Sequence, residues 1–288
     1  MGKYLKLFTN HNEYLAFTHT EGYLLPNVSH CFTEKDVHYN PITTETRLMV
    51  TYNVSDASNA TQLYFYYVGE GDADPSAFAV NMFDKVEIDG TEVAVADLDA
   101  DNGTYDFGVG EHTVAYTLKD PTFIGAVLDE GAGTVNLGAV FVECTDIASV
   151  EIPDSVTFIG NSVFSDCTGL TSVTIPSSVT SIGNYAFAGC SNLTGVTFES
   201  NSQLTDIGGF AFAGCSGLTS ITIPSGVTSI GQSAFDSCSG LTSINIPNSV
   251  STIGNFAFCQ CSSLDAASRA AINAINANAT HCMSDVQN

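Results

Sequence analysis

The groups in this chain that could do chemistry are carboxylates, thiols and a few imidazoles, and their spacing decides what that chemistry would be. Asp97-x-Asp99-x-Asp101-Asn102-Gly103 has the alternating oxygens of a calcium loop. An EF-hand loop, however, needs Gly at its sixth position and a bidentate Glu at its twelfth, where this chain has Asn102 and Gly108. The expectation is a solvated acidic turn. His11, His19, His30, Cys31 and His38 are potential zinc ligands, yet their spacings match no zinc motif. No metal site and no cofactor are expected. There is no G-x-S-x-G elbow, no phosphate-cradling glycine loop and no H-E-x-x-H helix. With 31 acidic residues, carboxylates fall near one another by chance, and no Trp is present to build a sugar platform. A two-carboxylate glycosidase is therefore not expected, and no catalytic residue is assigned.

The thiols carry a different message. Six of the nine cysteines, Cys144, Cys167, Cys190, Cys215, Cys238 and Cys261, are spaced 23, 23, 25, 23 and 23 residues apart. They mark copies of one block: LTSVTIPSSVTSIGNYAFAGC from Leu170, LTSITIPSGVTSIGQSAFDSC from Leu218 and LTSINIPNSVSTIGNFAFCQC from Leu241. A fixed period of this length is the signature of a solenoid, whose units bury their apolar faces only against their neighbours. In the copy at Leu170, the residues Leu170, Val173 and Ile175 point inward from a short strand, Thr174 points outward, and Pro176 ends the strand. Gly183 supplies flexibility at the next bend. The stretch NYAFAGC suits a helical turn, with Ala186, Phe187 and Cys190 facing the core. Phe164, Phe187, Phe212, Phe235 and Phe258 recur at one position, and stacking places them in a continuous aromatic spine. The repeat cysteines act as small buried hydrophobes on parallel vectors, which disfavours disulfides between rungs. Cys31, Cys259 and Cys282 lie outside that ladder; free thiols and a Cys259–Cys282 bridge within the C-terminal cap both remain open.

The phrase L-x-S-[IV]-x-IP-x-x-V-x-x-IG-x-x-AF-x-x-C resembles the BspA-type (treponemal) leucine-rich repeat over roughly residues 137–264. The copy at Leu193 departs from it: Phe198-Glu199 replaces IP and two residues are added, which should bulge one loop without breaking the stack. The first copy, LGAVFVEC from Leu137, is one residue short. The resemblance implies surface-exposed adhesion and interaction proteins of host-associated bacteria, and no catalysis.

Composition restricts the partners. Seven Lys plus Arg against 31 Asp plus Glu leave a net charge of −24, and residues 137–264 contain no Lys or Arg at all. Such a surface cannot neutralise phosphates, which excludes nucleic acid and disfavours anionic lipid. Its outward positions are Ser, Thr, Asn and Gly, suited to hydrogen bonding with a glycan or a wet protein interface. The row Thr174, Thr197, Thr222 and Asn245 is the candidate binding face.

The remaining segments complete a mainly β architecture with short helices: a right-handed leucine-rich-repeat solenoid preceded by a small β-sandwich-like domain and an N-terminal attachment segment. Within residues 1–45, KYLKLFTNHNEYLAF, EGYLLPNVSHC and VHYNP resemble an N-terminal module of phage- and prophage-encoded proteins of gut Bacteroidales. That resemblance implies attachment to other virion proteins, a virion-surface location, and a homo-oligomer such as a trimer. A bacterial cell-surface adhesin is the alternative. MGKYLKLFTNHNEY has no apolar run long enough for a signal-peptide core or a membrane span, so no membrane insertion is expected. Residues 46–121 read as an immunoglobulin-like β domain built from RLMVTYNV, QLYFYYV, KVEIDG-TEVAVA and EHTVAYTL, with a hairpin turn at Asp89-Gly90. Residues 122–264 form the array, where DPTFIG already resembles a repeat step. Residues 265–288 form a helical cap, with Asp265 as N-cap and Ile272 and Ile275 covering the last rung.

Overall fold

The computed structural model describes residues 47–55, 61–62, 83–94, 104–118, 123–124, 126–130, 133–137 and 141–281, all within one compact unit spanning Thr46–Asn288. The first strands are β1 (Arg47–Val54), β2 (Thr61–Gln62), β3 (Phe83–Ile88), β4 (Thr91–Val93), β5 (Thr104–Tyr105) and β6 (Gly110–Leu118). The hairpin predicted at Asp89-Gly90 joins β3 to β4, and both turn residues have positive φ, 48° and 76°. β7 (Phe123–Ile124), β8 (Ala126–Glu130) and β9 (Gly133–Leu137) follow, the last two forming an antiparallel hairpin.

From there each repeat contributes a longer and a shorter strand. The longer ones are β10 (Ile147–Glu151), β12 (Ser172–Ile175), β14 (Gly195–Phe198), β16 (Ser220–Thr222) and β18 (Ser243–Asn245). The shorter ones are β11 (Phe158–Ile159), β13 (Ser181–Ile182), β15 (Asp206–Ile207), β17 (Ser229–Ile230) and β19 (Thr252–Ile253). The short strands make one parallel sheet, β19-β17-β15-β13-β11-β7, so Phe123-Ile124 does serve as its first rung, opposite Phe158-Ile159.

The long strands β14, β12 and β10 continue into β1, β6, β3 and β4 as a single seven-stranded sheet. The junction is antiparallel, with Val50 opposite Val150. The described long strands of residues 46–121 thus lie in the same sheet as the first repeats. Beyond that sheet, the described residues of this region hold the short pair β2–β5.

The alternation read in the sequence holds. Leu170, Val173 and Ile175 are buried, Thr174 is exposed, and Pro176 follows the last residue of β12. The third side of each repeat differs from the helical turn expected for NYAFAGC. It is a run of turns in which Tyr185 and Gly189 take positive φ, 58° and 72°. The reason is hydrogen bonding: Tyr185, Phe187 and Gly189 donate their N–H groups to Gly209, Ala211 and Ala213 of the next repeat, at 2.9, 2.8 and 2.7 Å. A helix would have turned those donors inward along its own axis.

The glycine of each IG step also has another role than the flexibility expected of Gly183. Gly183, Gly208, Gly231 and Gly254 do not take positive φ; what each lacks is space. A Cβ on Gly231 would lie 2.5 Å from the Gly209 nitrogen and 2.6 Å from the Gly208 carbonyl carbon, both backbone. Gly231→Ala is therefore expected to destabilise by about 1–3 kcal/mol, because the overlap is with atoms that cannot rotate away. Gly195→Ala, where an added Cβ meets nothing within 4 Å, should leave the thermal melt unchanged or slightly raised.

The C-terminal cap closes both open sides. The helix α1 (Ala266–Ile275) begins at Asp265, whose side chain accepts the Ser268 N–H at 2.6 Å. Ser268 Oγ accepts the Ile244 N–H of the last long strand at 3.1 Å, and Ile272 is fully buried. Arg269 donates to the carbonyls of Leu264 and Cys261 at 3.0 and 2.6 Å. After the helix the chain imitates one more rung: Phe256 and Phe258 donate to the carbonyls of Asn278 and Ala279 at 3.0 and 2.7 Å, and Ala279 is buried.

Candidate functional site

Inside the array the phenylalanines form the expected spine. Phe141, Phe164, Phe187, Phe212, Phe235 and Phe258 stack at centroid spacings of 5.2–5.4 Å, with planes 4–15° apart. Tyr116 meets Phe141 edge-on at 5.3 Å and carries the spine into β6. The repeat cysteines are more than hydrophobes. Each thiol from Cys167 onward donates to the carbonyl of the phenylalanine one repeat back, for example Cys190 to Phe164 at 3.0 Å and Cys238 to Phe212 at 3.1 Å. Burial raises all six thiols; those of Cys190 and Cys261 are pushed up to about 12. A thiol so protonated and enclosed is neither nucleophile nor metal ligand at neutral pH.

Many outward hydroxyls are also committed to the stack. Thr180, Thr205 and Thr228 each donate to the backbone carbonyl of the preceding rung's threonine, at 3.0, 3.1 and 3.3 Å. Thr194 and Thr242 do the same to Thr171 and Thr219. The candidate row is different. Thr174, Thr197, Thr222 and Asn245 are all exposed, Thr174 stands opposite Thr197, and Thr222 stands opposite Asn245.

Between the two halves of that row the ladder is interrupted: β14 ends its sheet, and β16 with β18 forms a separate pair. A groove of about 480 Å³ opens there, with Thr197 on one wall and Thr222 on the other. At the longer repeat beginning at Leu193 one ladder stops, while the short-strand sheet passes through intact. Phe198 and Glu199, which the sequence marks only as a departure from the repeat and not as site residues, also line this groove, together with Asn201. The signal for them is the 25-residue interval itself. The exposed Tyr185, stacked on the half-buried Phe210 at 4.7 Å, likewise escapes the sequence pattern.

One histidine pairing has the look of catalytic machinery. His112 Nδ1 lies 2.8 Å from Asp89, which raises the imidazole and lowers the carboxyl. Its Nε2 lies 2.9 Å from the Gly108 carbonyl, and the ring stacks on Phe107 at 4.5 Å. With both nitrogens facing acceptors, no ring nitrogen is left to take a substrate proton. Among the described residues no cluster of His, Cys, Asp and Glu could hold a metal ion, and no helix is long and apolar enough to cross a membrane. The Asp97–Asp101 loop, the set His11, His19, His30, Cys31 and His38, and the whole segment 1–45 lie outside the described residues.

Comparison with known proteins agrees with this geometry. Residues 138–265 match, in six copies, the family described as the BspA type leucine rich repeat region. No curated protein matches. Among solved structures, the pneumococcal vaccine antigen PcpA is 31% identical over 36% of this chain and 28% of its own, with a TM-score of 0.33. A leucine-rich repeat protein from Bacteroides capillosus is 30% identical over 46% of this chain and 74% of its own, with a TM-score of 0.25. A leucine rich cell surface protein from Faecalibacterium prausnitzii is 29% identical over 52% of this chain and 48% of its own, with a TM-score of 0.27. The chain thus spans little more than a quarter of PcpA. The repeat region of this chain, residues 138–265, is thus similar to the BspA-type leucine-rich repeat family.

Proposed function

We propose that this protein is a non-enzymatic adhesion protein of a bacterial cell surface, binding a host-surface glycan or protein through the face formed by its longer repeat strands. The observation that carries the reading is the exposed row made of two in-register pairs, Thr174 with Thr197 and Thr222 with Asn245, on a stacked array. Each position offers a hydrogen-bonding group at a spacing set by the ladder, about 4.8 Å where it is intact. Binding over such a face rests on shape and many hydrogen bonds, and gains from multivalency if several copies are displayed. The match of the array to the BspA-type family supports a surface role.

Cys259 is disulfide-bonded, and disulfides persist in oxidising compartments, which suits a location outside the cytosol. The virion-surface expectation rests on residues 1–45 alone, and among the described residues nothing favours it over the cell surface.

The test is adhesion of the full chain to host epithelial cells. Thr222→Lys with Asn245→Lys is expected to abolish adhesion while circular dichroism and the thermal melt stay as in wild type, since both side chains are exposed. Unchanged adhesion by the double variant would remove this face from the function.

A further inference from the structure

The repeat at Leu193 is longer than its neighbours, and the consequence falls on one side of the stack. Phe198 stands opposite Ile175, and Glu199 takes the place of the strand-ending Pro176. Ile175 is fully buried, whereas Phe198 is only partly so. β14 ends at the larger ring of Phe198, the chain then passes through Asn201 at φ 62°, and β16 is not paired with β14. Among the described residues, no backbone hydrogen bond joins β14 to β16.

The groove this opens, about 480 Å³, lies within the range of small-ligand sites, about 300–1,000 Å³. Its floor includes the buried Val196 and Ile221, and Phe198 gives it a half-exposed aromatic surface. Hydroxyls of Thr197, Ser220 and Thr222 and the amide of Asn201 supply donors and acceptors. Glu199 is fixed in place, its Oε2 accepting the Ser177 N–H at 3.0 Å. No Lys or Arg occurs anywhere in the array, so nothing there attracts an anion. The gap does not suit an added strand: β14 and β16 still hold Cα pairs within 8 Å, whereas an inserted strand needs two ladder spacings, about 10 Å. What fits is an uncharged, polyhydroxylated molecule with apolar C–H faces.

The geometry points to a binding subsite for the neutral end of a glycan in the groove between β14 and β16, a refinement that rests on the surface-binding reading above. The probe is a glycan array carrying neutral, sialylated and sulfated glycans, read with the full chain. Wild-type protein is expected to retain neutral glycans and to pass over the anionic ones. Glu199→Gln combined with Asn201→Gly removes one charge and one amide while keeping the left-handed backbone at 201, and should weaken retention at least tenfold with an unchanged melt. A second variant restores the regular repeat: Phe198→Ile and Glu199→Pro with Ser200 and Asn201 deleted. It should melt no lower than wild type, because the ladder can close, yet retain no glycan. Retention unchanged in both variants, no neutral glycan retained by wild type, or a preference for anionic glycans would each overturn the subsite. Cell adhesion measured on the same preparations separates the two readings. Adhesion that survives both variants overturns the groove and leaves surface binding standing; wild-type protein that binds neither cells nor glycans overturns both.

Discussion

Phe212→Ala is expected to destabilise the protein by about 3–5 kcal/mol, the cost of a large cavity where the surroundings cannot collapse. The ring is fully buried and stacked 5.3 Å from Phe187 on one side and 5.3 Å from Phe235 on the other. Its backbone is held as well: the Phe212 N–H donates to Ala234 at 2.8 Å, and its carbonyl accepts the Cys238 thiol at 3.1 Å. With the main chain pinned between neighbours, the void cannot be filled by sliding one rung toward another. Position adds to the effect. In a solenoid each unit is stabilised by its two neighbours, so a void in a central rung weakens the coupling between the halves. Urea unfolding followed by circular dichroism should show a lower midpoint and a smaller slope, as the halves begin to unfold separately. Phe212→Leu, which keeps most of the volume, should cost less than half as much. A loss below about 1 kcal/mol for Phe212→Ala would mean that the spine is not continuous core.

That spine is legible in the sequence, and the reason is physical. Burial against identical neighbours imposes the same apolar residue at the same place in every repeat, so Leu170, Val173, Ile175 and Phe187 announce themselves by recurrence. Exposure is legible by the same rule, which is why the row containing Thr174 and Asn245 emerges on the open face. What recurrence hides is the reason a residue recurs. Gly183 looks like a flexible hinge but marks close backbone approach, where a Cβ would stand 2.7 Å from the Asn161 nitrogen. The cysteines look like small hydrophobes but donate to the phenylalanine carbonyls. The turn around Tyr185 looks helical because its apolar spacing is right, yet donors aimed at the next rung win over donors aimed along the segment itself.

Departures from the period are harder to interpret. The interval of 25 between Cys190 and Cys215 is visible, but nothing local says whether extra residues leave as a loop or push neighbouring strands apart. Here the ladder stops after β14, which ends in Phe198 where the facing strand has Ile175. The junction of β1 with β10 is hidden for a related reason. It pairs residues about a hundred positions apart, Val50 with Val150, and neither strand carries a mark of its partner.

The remaining large effect concerns Cys259. Cys259→Ser is expected to lower stability by about 2–4 kcal/mol, the usual effect of removing a native disulfide. The bond is present in the structure, whereas the six repeat cysteines are free thiols. The remaining cysteines in the chain are Cys31 and Cys282, both outside the described residues. The two pairings have different consequences. A bond to Cys282 would tie the chain just past residues 276–281, which already lie on the last repeat as a false rung and accept the Phe256 and Phe258 N–H groups. Reduction would then loosen that rung, and hydrogen exchange at the Phe258 amide should speed up while exchange at the Phe235 amide, one rung inward, stays slow. A bond to Cys31 would leave the Phe258 amide as protected as before. Dithiothreitol should lower the wild-type melt toward that of Cys259→Ser and leave the variant where it is. Peptide mapping under non-reducing conditions names the partner directly. A fully reduced Cys259 in protein purified from an oxidising compartment would end the argument for the bond.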